Sequence, residues 1–132
     1  RLVHFSYGLL IAYPIREVFM RVADVRGFWG YFLPLELVMS TSMIFELFEW
    51  AAAEVFGGEL GIAYLGTQRD VWDAHKDMAL ATLGAIIAMT IIALINARYK
   101  RDFTREFRDS LVVKHPEPLG EEALDRMRQA NQ

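Results

Sequence analysis

From Met78 to Ile95 the chain carries no charged side chain, and the apolar run extends through Asn96 and Ala97. That length matches the roughly 20 residues a helix needs to cross the hydrocarbon core of a bilayer. A second apolar segment, Phe28 to Phe56, is interrupted by Glu36, Glu46, Glu49 and Glu54, and Pro34 is expected to bend its first turns. A third, Leu2 to Ile15, is too short alone. It reaches spanning length if its helix continues to Met20, with Arg16 and Glu17 snorkelling and Pro14 kinking the axis. The pattern predicts an all-α, polytopic transmembrane helical bundle over residues 1–97, with about three spans. Gly57 to Arg69, which holds four glycines, reads as a partly re-entrant loop.

The remaining residues, 98–132, are different material. Tyr99, Phe103, Phe107 and Leu111 recur every four residues with basic residues mostly on the other faces. This predicts a juxtamembrane amphipathic helix that continues the last span along the membrane surface. His115, Pro116, Glu117 and Pro118 end it, and a short charged tail follows.

Composition narrows the function. The hydrophobic fraction is 54% and the formal charge −3, with a mean hydropathy of +0.19. No net basic field exists to hold phosphates of a nucleic acid, so that partner is excluded. With no cysteine, disulfides, thiolate metal sites and cysteine nucleophiles are excluded too. A chain that opens on Arg1 is expected to be part of a longer protein.

Basic residues set the orientation. Arg98, Lys100, Arg101, Arg105, Arg108 and Lys114 follow the last span, and Arg16, Arg21 and Arg26 flank the first connection. Only Arg1, Arg69 and Lys76 stand on the opposite side. Nine against three predicts a multi-pass protein with its C-terminus in the cytoplasm.

That threading gathers polar residues at the outer face. His4 and Arg1 open the first span, Glu46 and Glu49 close the second, and Asp70, Asp73 and Asp77 precede the third. Acids at i, i+3 and i+7 share one helical face. Ser42, Glu46, Glu49 and Ala53 form one stripe; Asp70, Asp73, Asp77, Ala81, Gly84 and Ala88 form another; His4, Gly8 and Ile11 form the third. Small residues below the acids let membrane helices approach closely, so the acids are expected to face a cavity between helices. Three chemistries fit: general acid–base work by carboxylates that raise one another's pKa, a divalent cation such as magnesium on Asp73, Asp77 and Glu49, or a static network paired with Arg1, Arg69 or Lys76.

The blocks Arg1-Leu-Val-His4-Phe-Ser-Tyr-Gly8, Phe45-Glu46-Leu-Phe-Glu49-Trp50 and Gly66-Thr-Gln-Arg-Asp70-Val-Trp72-Asp73-Ala-His-Lys-Asp77-Met resemble the YjdF-type inner-membrane proteins of bacteria over roughly residues 1 to 97. The resemblance implies a membrane protein with further upstream spans and brings no activity. A more distant similarity is to VanZ-like membrane proteins, whose pattern has a basic residue and histidine, a glutamate, and spaced aspartates followed by glycine. His4, Glu46 or Glu49, Asp70, Asp73 or Asp77, and Gly84 would correspond. The Gln and Arg that commonly follow the glutamate there come only as Gln68 and Arg69 here, and Ala81 and Thr82 stand where Asn is usual. That similarity implies chemistry on lipid-linked phosphate head groups.

The resulting expectation is a membrane-embedded enzyme working on such head groups at the outer leaflet. His4, Glu46, Glu49, Asp73 and Asp77 would carry the chemistry, and Arg1, Arg69 and Asp70 would bind substrate. The competing expectation is a non-catalytic accessory or assembly subunit of a membrane complex, partnered by lipids and other membrane subunits. Because the chain lacks cysteine, cysteines introduced singly at positions 60 and 110 report topology directly. A membrane-impermeant maleimide applied outside spheroplasts is expected to label position 60 alone, and labelling of position 110 alone would reverse the orientation.

Overall fold

The computed structural model describes residues 1–58, 70, 72–114 and 120–130. Among these residues every regular element is a helix: α1 (Leu2–Val22), α2 (Trp29–Phe56), α3 (Asp73–Tyr99), α4 (Phe103–Asp109) and α5 (Glu121–Ala130). The loop expected from Gly57 to Arg69 lies outside the described residues beyond Gly58. α2 and α3 are long and apolar enough to cross a membrane, with mean hydropathies of 1.3 and 2.5 over their best windows. α1 spans 21 residues, about 31 Å at 1.5 Å per residue, but His4, Arg16, Glu17 and Arg21 keep it less apolar. Both α1 and α2 run unbroken through their prolines, Pro14 and Pro34.

What these helices bury is small. The core consists of Ala12, Val38, Ala81, Ala85, Ala88 and Met89. The large apolar side chains point outward instead, as Leu10, Phe48 and Leu94 do, each about two-thirds exposed. A water-soluble bundle does the reverse, because burying Leu and Phe is its main driving force. In lipid no such force acts between helices, and small residues that let backbones touch take over the interface. Trp29 and Trp50 stand near opposite ends of α2, both substantially exposed. Their separation of 21 residues is about 31 Å of helix, close to hydrocarbon thickness, and tryptophan is enriched at both membrane interfaces.

α1 packs most extensively against α3, and α2 closes on both. The α1–α3 seam is a backbone contact. A Cβ on Gly8 would overlap the Ala81 carbonyl, and one on Gly84 would overlap the Phe5 carbonyl and lie 2.7 Å from the Leu9 amide. The buried stripe of α1 is Gly8, Ala12 and Arg16. It follows i, i+4 spacing, so Ile11 faces outward at the position where the sequence pattern had placed it inside. Arg16 does not snorkel to the surface. It is buried with its guanidinium 4.7 Å from the Tyr31 ring centre, a cation–π contact.

The opposite end of the bundle corrects a second expectation. The aromatic stripe does not continue α3, because Lys100 takes an extended conformation and ends it. The chain folds back so that α4 and Ser110 reach the α1–α2 turn. The Phe28 amide donates to Ser110 Oγ at 2.9 Å, the Gly27 amide to Glu106 Oε1 at 3.3 Å, and the Trp29 indole to the Ser110 carbonyl at 2.9 Å. Phe28 meets Phe107 edge-on and Tyr31 meets Phe103. Gly27 adopts φ +60°, and a Cβ there would strike Ser110, so glycine is required twice over.

The seam makes a stability prediction. Gly84→Leu is expected to destabilise the bundle by about 1–3 kcal/mol, as overpacking does where backbone cannot retreat. Leu83→Ala, on the exposed neighbouring face, is expected to change little. Thermal unfolding in detergent, followed by circular dichroism, separates the two.

Candidate functional site

Arg1, His4, Glu46, Asp70, Asp73 and Asp77 come together at one end of the bundle. Periodicity explains the placement. His4 stands one turn from Gly8 along the α1 seam, Asp77 one turn from Ala81 on α3, and Glu46 one turn from Ser42 on α2. The close-packed seam therefore delivers a polar side chain from each helix to the same depth.

The site has two layers. In the inner layer His4 Nε2 lies 3.0 Å from Glu46 Oε1, and His4 Nδ1 lies 3.4 Å from Asp77 Oδ2. Glu46 and Asp77 are each 9% exposed. Neither approach has the alignment of a hydrogen bond, and His4 Nδ1, Glu46 Oε1 and Asp77 Oδ1 are buried without hydrogen-bond partners. Buried polar atoms normally are paired, so three such atoms in one place ask for a ligand or bridging group. Ser42 Oγ, also partnerless, is 2% exposed.

The outer layer is an ion-pair rim. Arg1 donates to Asp73 Oδ1 from both Nε (3.2 Å) and a terminal nitrogen (2.9 Å), and also bonds Asp70. Lys76 Nζ donates to the same Asp70 oxygen at 2.6 Å, and the Trp72 amide donates to Asp70 Oδ1 at 3.1 Å. These contacts, that of Lys76 foremost, hold the Asp70 carboxyl down at about 2. The same pairing raises the Arg1 guanidinium, with Asp73 the leading cause.

Beside the inner layer, a cleft of about 320 Å³ opens between α1 and α2, lined by Val3, His4, Tyr7, Thr41, Ser42 and Phe45. Val3 and Phe45 are exposed, so it gives onto the outside of the bundle. Tyr7 and Thr41 hydrogen-bond through their hydroxyls at 2.6 Å and tie the two walls together.

Of the trio expected to hold a cation, Asp77 joins the buried group, whereas Asp73 is turned to Arg1. Glu49 stands half-buried one turn beyond Glu46. The three groups close enough to share an ion are His4, Glu46 and Asp77. Arg1 is engaged by acids and not free for an anion. Arg69 lies outside the described residues. Sequence reading missed the Tyr7–Thr41 bond and the cleft, since hydroxyls in an apolar run carry no spacing signal.

A membrane bundle with an ionisable site at one end is the class defined here, and comparison places it. The family described as a predicted membrane protein, DUF2238, matches residues 1–98, and the chain belongs to it. The inner membrane protein YjdF of Escherichia coli (strain K12) is 38% identical over 104 residues, covering 78% of this chain and 49% of that protein. The chain thus spans about half the length of this relative. No solved structure matches.

The rim sets a pH dependence. Because folding depresses the Asp70 carboxyl from 3.8 to about 2, its stabilising share is complete above pH ~4 and lost as pH falls towards 2. Asp70→Asn is expected to flatten the stability profile across that interval and leave the region above pH 5 parallel to wild type. Detergent unfolding at stepped pH measures both.

Proposed function

We propose that this protein is a membrane-embedded enzyme acting on the phosphate head group of a lipid, with its site at the non-cytoplasmic face. The observation that carries the reading is the position of His4, which lines an apolar cleft open to the bundle's exterior and has Glu46 and Asp77 against its two ring nitrogens. An apolar chain entering between Val3 and Phe45 would bring its polar head to those three side chains. Buried ionisable groups at membrane depth are costly, which makes a functional role the default reading. The matches with known proteins give no support to the VanZ-like similarity, so the proposal rests on geometry.

In this reading the inner layer activates a water, and Glu49, one turn beyond Glu46, accepts its proton. The water oxygen bonds to phosphorus, the bond from phosphorus to the leaving oxygen breaks, and Glu49 returns the proton to that oxygen. Arg1 does not hold the phosphate in this scheme. It keeps Asp70 and Asp73 in register so that α1 and α3 present His4 and Asp77 together. α1 crosses the membrane alongside α2 and α3, and the basic end of the bundle is cytoplasmic.

The saturated ion-pair rim favours a second reading, a non-catalytic accessory subunit whose acids form a structural network. The two differ in what substitution does. Under the enzymatic reading Asp77→Asn and His4→Ala lower turnover of a lipid-phosphate panel by about 10²–10⁴-fold, the range typical of general acid–base groups, while the protein stays folded. Full turnover in both variants, or loss of folding with no specific chemical defect, overturns it in favour of the structural one. Phosphate release from purified protein in mixed micelles reads the outcome.

A further inference from the structure

We infer that His4, Glu46 and Asp77 form a binding site for a divalent transition metal of the zinc class. Each residue comes from a different helix, and one ligand atom from each lies within 4.8 Å of the others. The inference deepens the proposed reaction by naming a cofactor for it, but it stands on its own geometry.

Four observations support it. First, His4 Nδ1, Glu46 Oε1 and Asp77 Oδ1 are buried and partnerless. A water can donate only two hydrogen bonds, whereas a cation satisfies imidazole and carboxylate lone pairs together. Secondly, Ser42, one turn below Glu46, is 2% exposed with a partnerless Oγ and lines the same cleft as His4. It provides a further oxygen beside the site, for a metal-bound water. Thirdly, the nearby cations are spent: Arg1 binds Asp70 and Asp73, and Lys76 binds Asp70. Glu46 has no such counter-charge, and Asp77 meets only the Arg1 α-amino group, 3.3 Å from its Oδ1; buried carboxylates are retained when paired or coordinating a metal. Fourthly, a phosphate brought to two carboxylates would be repelled, and a bound dication cancels their charge.

The donor set selects the ion. One imidazole nitrogen with two carboxylate oxygens suits zinc, while magnesium and calcium prefer oxygen alone. Zinc ligands sit about 2.0–2.2 Å from the metal, so two atoms of a tetrahedral site lie about 3.4 Å apart. The present group, with its atoms within 4.8 Å of one another, closes by up to roughly 1.4 Å, a movement within side-chain rotation. Three protein ligands leave a coordination position free, the arrangement of catalytic rather than structural zinc sites.

The test uses the full-length protein in detergent micelles, stripped with a chelator and dialysed. Calorimetric titration with Zn²⁺ is expected to show one equivalent bound to wild type, with affinity falling at least 100-fold in Glu46→Gln and in His4→Ala. Glu54→Gln, two turns further along α2, is expected to bind as wild type does. Co²⁺ is expected to give a visible ligand-field spectrum of nitrogen and oxygen ligation. That spectrum decides the matter in wild type alone should either site variant fail to fold by circular dichroism. No saturable Zn²⁺ uptake by wild type, uptake equal in Glu46→Gln, or a Co²⁺ spectrum of the hexaaqua ion overturns the site. Binding is read without turnover, so the two proposals fail separately. Zinc bound with no lipid-phosphate activity removes only the enzyme, and activity that survives chelation removes only the metal.

Discussion

The contact between the backbones of α1 and α3 at Gly8 and Gly84 sets the register for everything above it. With no side chain on either glycine, the helices meet main chain to main chain, and neither can slide without driving a carbonyl into a neighbour. Such close approach replaces the hydrophobic driving force that lipid cannot supply. One turn from the seam, the same faces carry His4 on α1 and Asp77 on α3. Their meeting follows from the glycine contact, since the approach of His4 to Asp77 lacks the alignment of a hydrogen bond.

Electrostatics then divides the acids into two kinds. Asp70 and Asp73 are outer, partly wet and matched by Arg1 and Lys76; exposed pairs of this type are worth little individually, and their value here is in fixing the helix ends. Glu46 and Asp77 lie deeper; among the described residues Asp77 meets the Arg1 α-amino group at 3.3 Å, and Glu46 has only His4 beside it. Burying charge without a partner is among the costlier things a protein does. A fold that nevertheless assembles these groups beside an open apolar cleft has set aside stability at that point, and functional sites are where such concessions are found.

Much of this was readable in the chain because membrane helices announce themselves by length and by the absence of charge. The third run and the acids at its mouth fix α3 almost to the residue, and the Ser42–Glu46 stripe of α2 is buried as its spacing implies. Other features were not legible. Ile11 and Ala12 are equally compatible with a helical stripe, and only the demand that backbone touch at Gly8 puts Ala12 inside. Arg16 reads as a snorkelling end residue, yet the aromatic face of Tyr31, distant in sequence, gives its guanidinium a place in the interior. The stripe through Tyr99, Phe103 and Phe107 has perfect helical period, but Lys100 breaks the helix because the folded-back course lets Phe103 and Phe107 bury against Tyr31 and Phe28. Which of the acids would be paired and which left alone was also hidden, since that depends on distances across helices and not along them.

The docking of Ser110 on the first turn has a temporal side. The Phe28 amide finds its acceptor 82 residues downstream, and the Gly27 amide finds Glu106 at 79. The start of α2 therefore leaves the ribosome with its leading donors exposed, and they stay so until α3 and the segment after it have been made. Residues 106–110 are what close the α1–α2 turn, and the basic end of the bundle is sealed only after α3 and α4 have been made.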